Sequence, residues 1–331
     1  MGRLRVGLKN NIEVVIIGAA IVDLPLRPIP EDILHKVSYP VDEIKMTVGG
    51  DAINEATILT RLGHCVRLVS GVGDDPAGNF VWHHCTKNHI VTDYIAVKED
   101  MNTSINVGLV GRDGERTFIT NRNGSLWKLA LCDINLEALD EGTILSFASI
   151  FNNPLLDNDA MVQIFRRAKT RSMTICADIV KCRLGENLDD IREALSFVDY
   201  FFPNFEEAQE LTGKENVSDI ADVFLACGVR NVIIKTGKTG AFIKNSHASF
   251  QVGAYPYVNC IDTTGAGDNF AAAFICGLLE EKTLQECGEF ANAIASISVE
   301  AIGATEGVQS REQADARYKD YLKWRVNREN N

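Results

Sequence analysis

The chain has 331 residues, 46% hydrophobic and 24% charged, an ordinary globular composition that excludes a disordered, collagen-like or low-complexity protein. At roughly 150 residues per domain, the length suits two domains or one large α/β domain with an appendage. Lys and Arg number 33 against 45 Asp and Glu, a formal charge of −12, and so acidic a surface argues against nucleic-acid and membrane partners.

In chain order, Arg3, Arg5 and Lys9 precede an apolar run over 14–22 in the manner of a weak signal peptide. Glu13 abuts that run, Asp23 ends it and no small-residue cleavage site follows, so it reads as a buried first strand over 14–18. Gly2 lacks the Ser or Thr at position 6 that myristoylation needs. No apolar run has the length to span a bilayer, and the chain is expected in the cytoplasm. A strand-like stretch over 41–48 leads into Gly49-Gly50 and a helix near 50–62. A strand at 66–70 and a helix at 76–88 follow. Residues 92–121 then break the rhythm with short strands at 94–97, 104–110 and 116–120, the last two joined by the hairpin sequence Gly111-Arg112-Asp113-Gly114. The two strand-rich insertions, 38–48 and 92–121, are expected to pair into a small sheet that projects as a lid, a device that excludes water from a reaction. The competing reading is an added edge on the main sheet.

Further on, apolar strands at 143–148, 173–177, 199–202 and 231–235 alternate with helices near 158–170, 186–197, 204–212 and 217–227. That alternation predicts a mostly parallel sheet covered by helices on both faces. Long Ala-rich helices are expected over 268–279 and 283–302, and residues 309–331 read as a charged, solvated surface helix. The cysteines are nine, an odd number without a C-x-x-C pair, and read as small buried hydrophobes in a reducing compartment.

The sharpest chemical feature is Asp262-Thr263-Thr264-Gly265-Ala266-Gly267-Asp268, at the start of a helix. Glycines let a ligand approach the main chain, and the exposed N–H groups of a helix start form an anion site. Asp268 beside such a site is placed to take a proton from a hydroxyl while the amides hold a phosphoryl group. The plainer reading is a turn with a carboxylate complementing the helix dipole. Competing phosphate motifs fail. Gly237-Lys238-Thr239 has Val232 where a P-loop needs its first glycine, and Gly73-x-x-x-x-Gly78 continues with Asn79 rather than Lys. Gly71-x-Gly73-x-x-Pro76 lacks the third glycine of the dinucleotide fingerprint, which disfavours a nicotinamide-dependent dehydrogenase. In the N-terminal half, Asp23 follows the first strand and Asn54 falls in the first turns of a helix, so the two can converge on a polyol at one sheet edge. His83, His84, Cys85 and His89 lack a second ligand cluster and read as a helix face.

Two separated patterns make the chain resemble the PfkB (ribokinase-like) family of carbohydrate kinases. The first is Gly49-Gly50-x-Ala52-x-Asn54-x-Ala56 with Gly63 and Gly73 downstream. The second is Asp262-Thr263-x-Gly265-Ala266-Gly267-Asp268 followed by Ala272-Ala273-Phe274-Ile275. Smaller echoes are Gly114-Glu115-Arg116, Asn204-x-x-Glu207 and Lys235-Thr236-Gly237-x-x-Gly240. The resemblance spans about 12–308 and implies a three-layer α/β/α body with a small β-sheet lid. It implies Asp268 as catalytic base and the amides of Gly265, Ala266 and Gly267 as the anion hole for the γ-phosphate of ATP. By the same resemblance, Asn204 and Glu207 order Mg²⁺ and the phosphates, while Thr236, Gly237, Gly240 and Asn292 line the nucleotide cleft. Asp23, Gly49, Gly50 and Asn54 hold the sugar. Arg122, which follows the lid strands, reads either as a further substrate contact or as a solvated surface residue. Asp262, Thr264 and Gly303 match the place where many members bind a monovalent cation such as K⁺. One departure concerns the acceptor. Many relatives carry D-x-N-x-R here, whereas this chain keeps Asp178, has Val180 and Cys182 in the other two places, and carries Arg183 one residue late.

The expectation is therefore an ATP- and Mg²⁺-dependent kinase acting on a sugar or sugar acid, and a homodimer formed through the lid edge. The rival readings are a nucleoside kinase on the same fold and a catalytically silent sugar- or nucleotide-binding regulator.

Overall fold

A computed structural model describes residues 11–112 and 116–329. The N-terminal Gly2, Arg3, Arg5 and Lys9, the turn residues Asp113, Gly114 and Glu115, and the last two residues lie outside the described residues. The strands are β1 (Val14–Gly18), β2 (Ile21–Arg27), β3 (Glu43–Ile44), β4 (Thr47–Gly49), β5 (Val66–Gly73), β6 (Ile95–Lys98) and β7 (Ile105–Val110), then β8 (Arg116–Thr120), β9 (Ile144–Ile150), β10 (Thr174–Ile179), β11 (Tyr200–Phe201), β12 (Asn231–Lys235), β13 (Ala241–Asn245) and β14 (Ser249–Val252). The helices are α1 (Asp51–Arg61), α2 (Pro76–Lys87), α3 (Ser125–Lys128), α4 (Asn158–Thr170), α5 (Arg192–Leu195), α6 (Phe205–Thr212), α7 (Val217–Ala226), α8 (Ala266–Leu279), α9 (Leu284–Ser298) and α10 (Arg311–Glu329).

Nine strands form the main sheet in the order β14-β13-β12-β11-β10-β9-β1-β5-β6. It is parallel from β12 through β6, and β13 and β14 continue it antiparallel. Side chains alternate across a strand, so β1 feeds two cores at once. Val14 and Ile16 join α1, α8 and α9 on one face, and Val15 and Ile17 join α4 and α7 on the other. Burial on both faces is why these strands read as continuous apolar runs. Sequence order reverses between β1 and β9, and a doubly wound sheet opens its ligand crevice at the strand carboxyl ends of such a point. Cys85, Cys176, Cys276 and Cys287 are fully buried free thiols. Among the described residues no helix is long and apolar enough to cross a membrane.

The second sheet has five strands, in the order β3-β2-β7-β8 with β4 also on β2. Its membership differs from the expectation in two ways. The stretch expected as a lid strand at 94–97 instead extends the main sheet as β6, with Ile95 opposite Ser70 of β5. Ile95 is buried and Val97, on the same face two residues on, is exposed, so only the start of this edge strand packs on the core. The centre of the lid is β2, pairing antiparallel with β3 and β4 and parallel with β7. Asp23 and Pro25 disguise β2 in the sequence, since proline is confined to places in a sheet where its missing N–H is not needed. Asp23 thus lies within a lid strand rather than in a loop after β1.

Two helices also differ. The stretch expected as a helix over 186–197 is a 3₁₀ turn and the short α5, started by a box in which Asn187 and Asp190 cap each other. The tail is not merely solvated. Ala314 and Tyr321 of α10 are fully buried, because Tyr318, Tyr321 and Trp324 recur on one helix face. Tyr321 Oη donates to the Gly253 carbonyl at 2.6 Å.

Candidate active site

Two helices start on glycines in the left-handed region, α1 after Gly50 (φ 96°) and α8 after Gly265 (φ 73°). A Cβ on Gly265 would lie 2.6 Å from Ala304, so position and conformation both demand glycine. Asn54 is in the first turn of α1 and Asp268 in the first turn of α8. Asn54 Nδ2 donates to Asp268 Oδ2 at 2.7 Å. The two motifs, far apart in sequence, therefore meet in one hydrogen bond at the crevice. The other amide atom, Asn54 Oδ1, is buried without a hydrogen-bond partner. Ala266 N–H donates to the Thr263 carbonyl at 3.2 Å, and a helix start leaves the next N–H groups, those of Gly267 and Asp268, without intrahelical acceptors.

The electrostatics are dominated by carboxylates. Burial and then Asp51 push Asp268 well above the usual range, while the Asn54 hydrogen bond and Lys235 pull the other way. Asp51 accepts from Ser149 Oγ at 2.5 Å and from Asn152 Nδ2 at 3.0 Å, which ties the start of α1 to the end of β9. Asp178, at the end of β10, is raised by burial against the pull of Lys235, whose Nζ lies 2.5 Å from its Oδ2. Glu207 is pushed up to about 7 by burial, against the pull of Lys235 and with the help of Asp178. So many oxygen donors around Lys235 fit a hard divalent cation that keeps part of its shell on phosphate oxygens.

On the lid side, Asp23 of β2 lies opposite Thr47 of β4. A Cβ on Gly49 would fall 2.1 Å from Asp23 Oδ2, so glycine there makes room for the carboxyl. Burial and Asp51 raise Asp23 to about 6, against a hydrogen bond from Asn106. Its Oδ1 is buried without a hydrogen-bond partner. A cavity of about 210 Å³ runs from Asp23 between lid and body, past Arg27, Lys45, Phe118, Thr264 and Gly303. Arg122 is exposed in the turn that leaves β8 and is not among the residues lining that cavity.

On the opposite side, Asn204 and Glu207 form a capping box. Glu207 N–H donates to Asn204 Oδ1 at 2.8 Å, and Asn204 N–H to Glu207 Oε2 at 3.0 Å, which fixes the start of α6. Thr236, Gly237 and Gly240 form the turn between β12 and β13. Gly240 (φ 102°) has no room for a Cβ, which would lie 2.0 Å from the Val252 carbonyl. Asn292 of α9 donates to the same carbonyl at 3.2 Å, so the turn and α9 converge there. Asp262, Thr264 and Gly303 are also brought together. Asp262 Oδ1 accepts from Thr264 N–H and Oγ1 at 2.9 and 2.7 Å, and Oδ2 from Gly303 N–H at 3.0 Å.

Sequence reasoning did not single out Asp51 or Lys235 as site residues. An acidic residue at a helix start reads as a dipole complement, and a lysine ending a strand as a solvated edge. Of the histidine group, His84 Nε2 lies 2.8 Å from Thr57 Oγ1 and Cys85 is inside the core. A different trio, His64, Cys276 and Glu280, has ligand atoms close enough for a metal, but Glu280 is already paired with Arg311 and Lys282.

The sequence signature described as pfkB family carbohydrate kinase matches residues 11–311. A ribokinase from Staphylococcus aureus (strain COL) is 26% identical over 314 residues, covering 92% of this chain and 98% of the relative. A 2-dehydro-3-deoxygluconokinase from Haemophilus influenzae is 28% identical over 283 residues, covering 80% and 90%. Among solved structures, a putative ribokinase II from E. coli in complex with ATP and Mg²⁺ has a TM-score of 0.78 at 24% identity, over 93% of this chain and 99% of that one. With the signature extending across body and lid alike, the chain belongs to the pfkB family of carbohydrate kinases.

Proposed function

We propose that the protein transfers the γ-phosphoryl group of ATP to a hydroxyl of a sugar or sugar acid held beneath the lid. The observation that carries this reading is the Asn54–Asp268 hydrogen bond, which joins the polyol-facing helix start to the carboxyl beside the Gly265–Gly267 turn. The acceptor bonds to Asp23 and Asn54, whose Oδ1 atoms are buried without hydrogen-bond partners. Asp268 takes the hydroxyl proton as the oxygen attacks the γ-phosphorus. The bond from that phosphorus to the bridging oxygen breaks, and ADP leaves. Burial and Asp51 make Asp268 a stronger base than a solvated carboxylate, as proton abstraction near neutral pH requires. The main-chain N–H groups at the start of α8 hold the oxygens of the group in transit. Bound Mg²⁺ would supply charge neutralisation on the phosphates, and Asn204 and Glu207 are the residues that would order it. Thr236, Gly237, Gly240 and Asn292 form the nucleotide cleft. The Asp262–Thr264–Gly303 clasp is our assignment for a monovalent cation.

The test is ADP release with MgATP across pentoses, hexoses, 2-keto sugar acids and nucleosides, with and without K⁺. Asp268→Asn is expected to lower kcat at least about 1,000-fold on the accepted substrate while MgATP binding by calorimetry persists. Turnover within about tenfold of wild type would remove Asp268 from the role of base. Acceptor binding without turnover by the wild type would favour the regulator reading.

A further inference from the structure

Lys235 ends β12 with its ammonium turned into the carboxylate cluster. Its side chain is 13% exposed and that of Asp178, its partner, 5%. A Cβ on Gly267 would lie 3.2 Å from Lys235 Nζ, so the ammonium stands against the face of α8 where the Gly267 N–H opens the anion site. The main chain fixes this placement. Lys235 N–H donates to the Pro203 carbonyl at 2.9 Å, and Lys235 bridges Asn204 at the start of α6. Burial disfavours the charge, but Asp178, Glu207 and Asp268 together outweigh it and leave Lys235 protonated well past neutral pH.

An ion pair this secluded is a poor stabilising device, because an apolar pair of the same volume often serves as well. An ammonium also carries three donors, and Asp178 accounts for one of them. Gly267 matters here for what it lacks, since any side chain would stand between the ammonium and the helix start.

We propose that Lys235 is a catalytic residue of this kinase, its ammonium donating to an oxygen of the transferring phosphoryl group on the Gly267 side of the anion site. Asp178 is the positioning residue that aims it. The inference rests on the phosphotransfer reading above. No proton leaves Lys235. Its charge opposes the negative charge of the phosphoryl oxygens as the bond to the bridging oxygen breaks, a role that a fixed point charge fills well.

The deciding variant is Lys235→Met combined with Asp178→Asn, which removes both charges and leaves neither buried unpaired. Lys235→Gln, which keeps a hydrogen bond to Asp178, is the second variant should the first fail to fold. The double variant is expected to melt within a few degrees of wild type, and Lys235→Gln, which leaves the Asp178 carboxyl buried without its cation, several degrees lower. With the accepted acceptor, kcat is expected to fall about 100-fold or more while the acceptor KM stays within about threefold. Calorimetry with MgATP and MgADP gives a readout that needs no acceptor. Wild type is expected to prefer MgATP, and the variants to lose at least about tenfold of that preference. Retention of kcat within about threefold, or of the full ATP-over-ADP preference, would reduce Lys235 to a structural partner of Asp178. If no acceptor is turned over by wild type, the phosphotransfer reading falls, while the nucleotide preference still decides whether Lys235 meets the γ-phosphate.

Discussion

Asp268 is buried with Asp51 as its first charged neighbour and Lys235 as its counterweight. A base so placed loses its active form at a higher pH than a solvated aspartate, and activity should fall as pH drops through that raised value. Asp51→Asn removes the negative neighbour and leaves an amide oxygen to accept from Ser149 and Asn152. Asp268 then holds its proton less tightly, and the acid limb of the kcat/KM profile is expected to move to lower pH. An unmoved limb would mean that burial alone sets the basicity. Among single residues, Asn54 and Asp268 were singled out because glycine-rich helix starts mark them, and Asp23 because it ends the first apolar run. Asp51 and Lys235 were not, because the importance of each is a matter of what it faces across the crevice. Asn204 and Glu207 show the converse. Their spacing was read through the family resemblance as a phosphate-ordering pair, and their observed contacts form a capping box, a role the same spacing encodes locally.

At the level of elements, the body was legible wherever burial on both faces left a mainly apolar run, unbroken in β1 and interrupted by Arg67 in β5 and by Ser146 in β9. It was obscured wherever an element serves two neighbours. β2 carries Asp23 into the site and Pro25 along the lid, so its pattern resembles neither a buried strand nor a clean alternation. α10 was hidden by its charge, because arginines flank the aromatic face. Those arginines are structural. Arg311 pairs with Glu280, Arg317 lies 2.7 Å from Glu300 and Arg325 2.5 Å from Glu289. Tyr321 sits at the centre, with its ring against Tyr318 and Trp324 and its hydroxyl on Gly253. Gly253 directly follows β14, whose last carbonyl accepts from Asn292. Tyr321→Ala is expected to destabilise the protein by about 3–5 kcal/mol, as for other buried aromatic truncations. Tyr321→Phe should cost only about 1 kcal/mol for the lost hydrogen bond. Chemical denaturation checks both, and a loss below about 1 kcal/mol for the alanine variant would return α10 to the status of a solvated appendage.

For the whole molecule, four carboxyls hold protons more tightly in the folded than in the unfolded chain. Burial leads in each case, raising Asp23 to about 6 and Glu207 to about 7, with Asp268 and Glu55 raised well above the ordinary range. Such a group binds a proton in the folded chain at pH values where the unfolded chain has released it. Its contribution to stability is therefore complete below the unfolded value near 4 and is lost as pH rises through the raised value, about 6 for Asp23 and about 7 for Glu207. Groups with lowered values act in the opposite sense, among them His84 and Glu280 lower on the scale. His84, held down to about 4 by burial and by Arg61, removes stability only as pH falls from 6.5 towards 4. Glu280, brought down to about 2 by Arg311 and Lys282 against the effect of burial, does so only below 4.5. Between pH 8 and 6.5 the raised carboxyls stand alone, and the Tm of the ligand-free protein is expected to rise as pH falls across that window, by about 2 °C or more. Under the proposed function, the Mg²⁺ of saturating MgATP would stand near Glu207 and favour its ionised form, so it should shrink the rise. Differential scanning fluorimetry at both pH values, with and without MgATP, separates the cases. A ligand-free Tm that fell from pH 8 to 6.5 would show that these carboxyls are ionised and paired before any nucleotide arrives, and the crevice would then be neutralised by the protein itself rather than by its substrate.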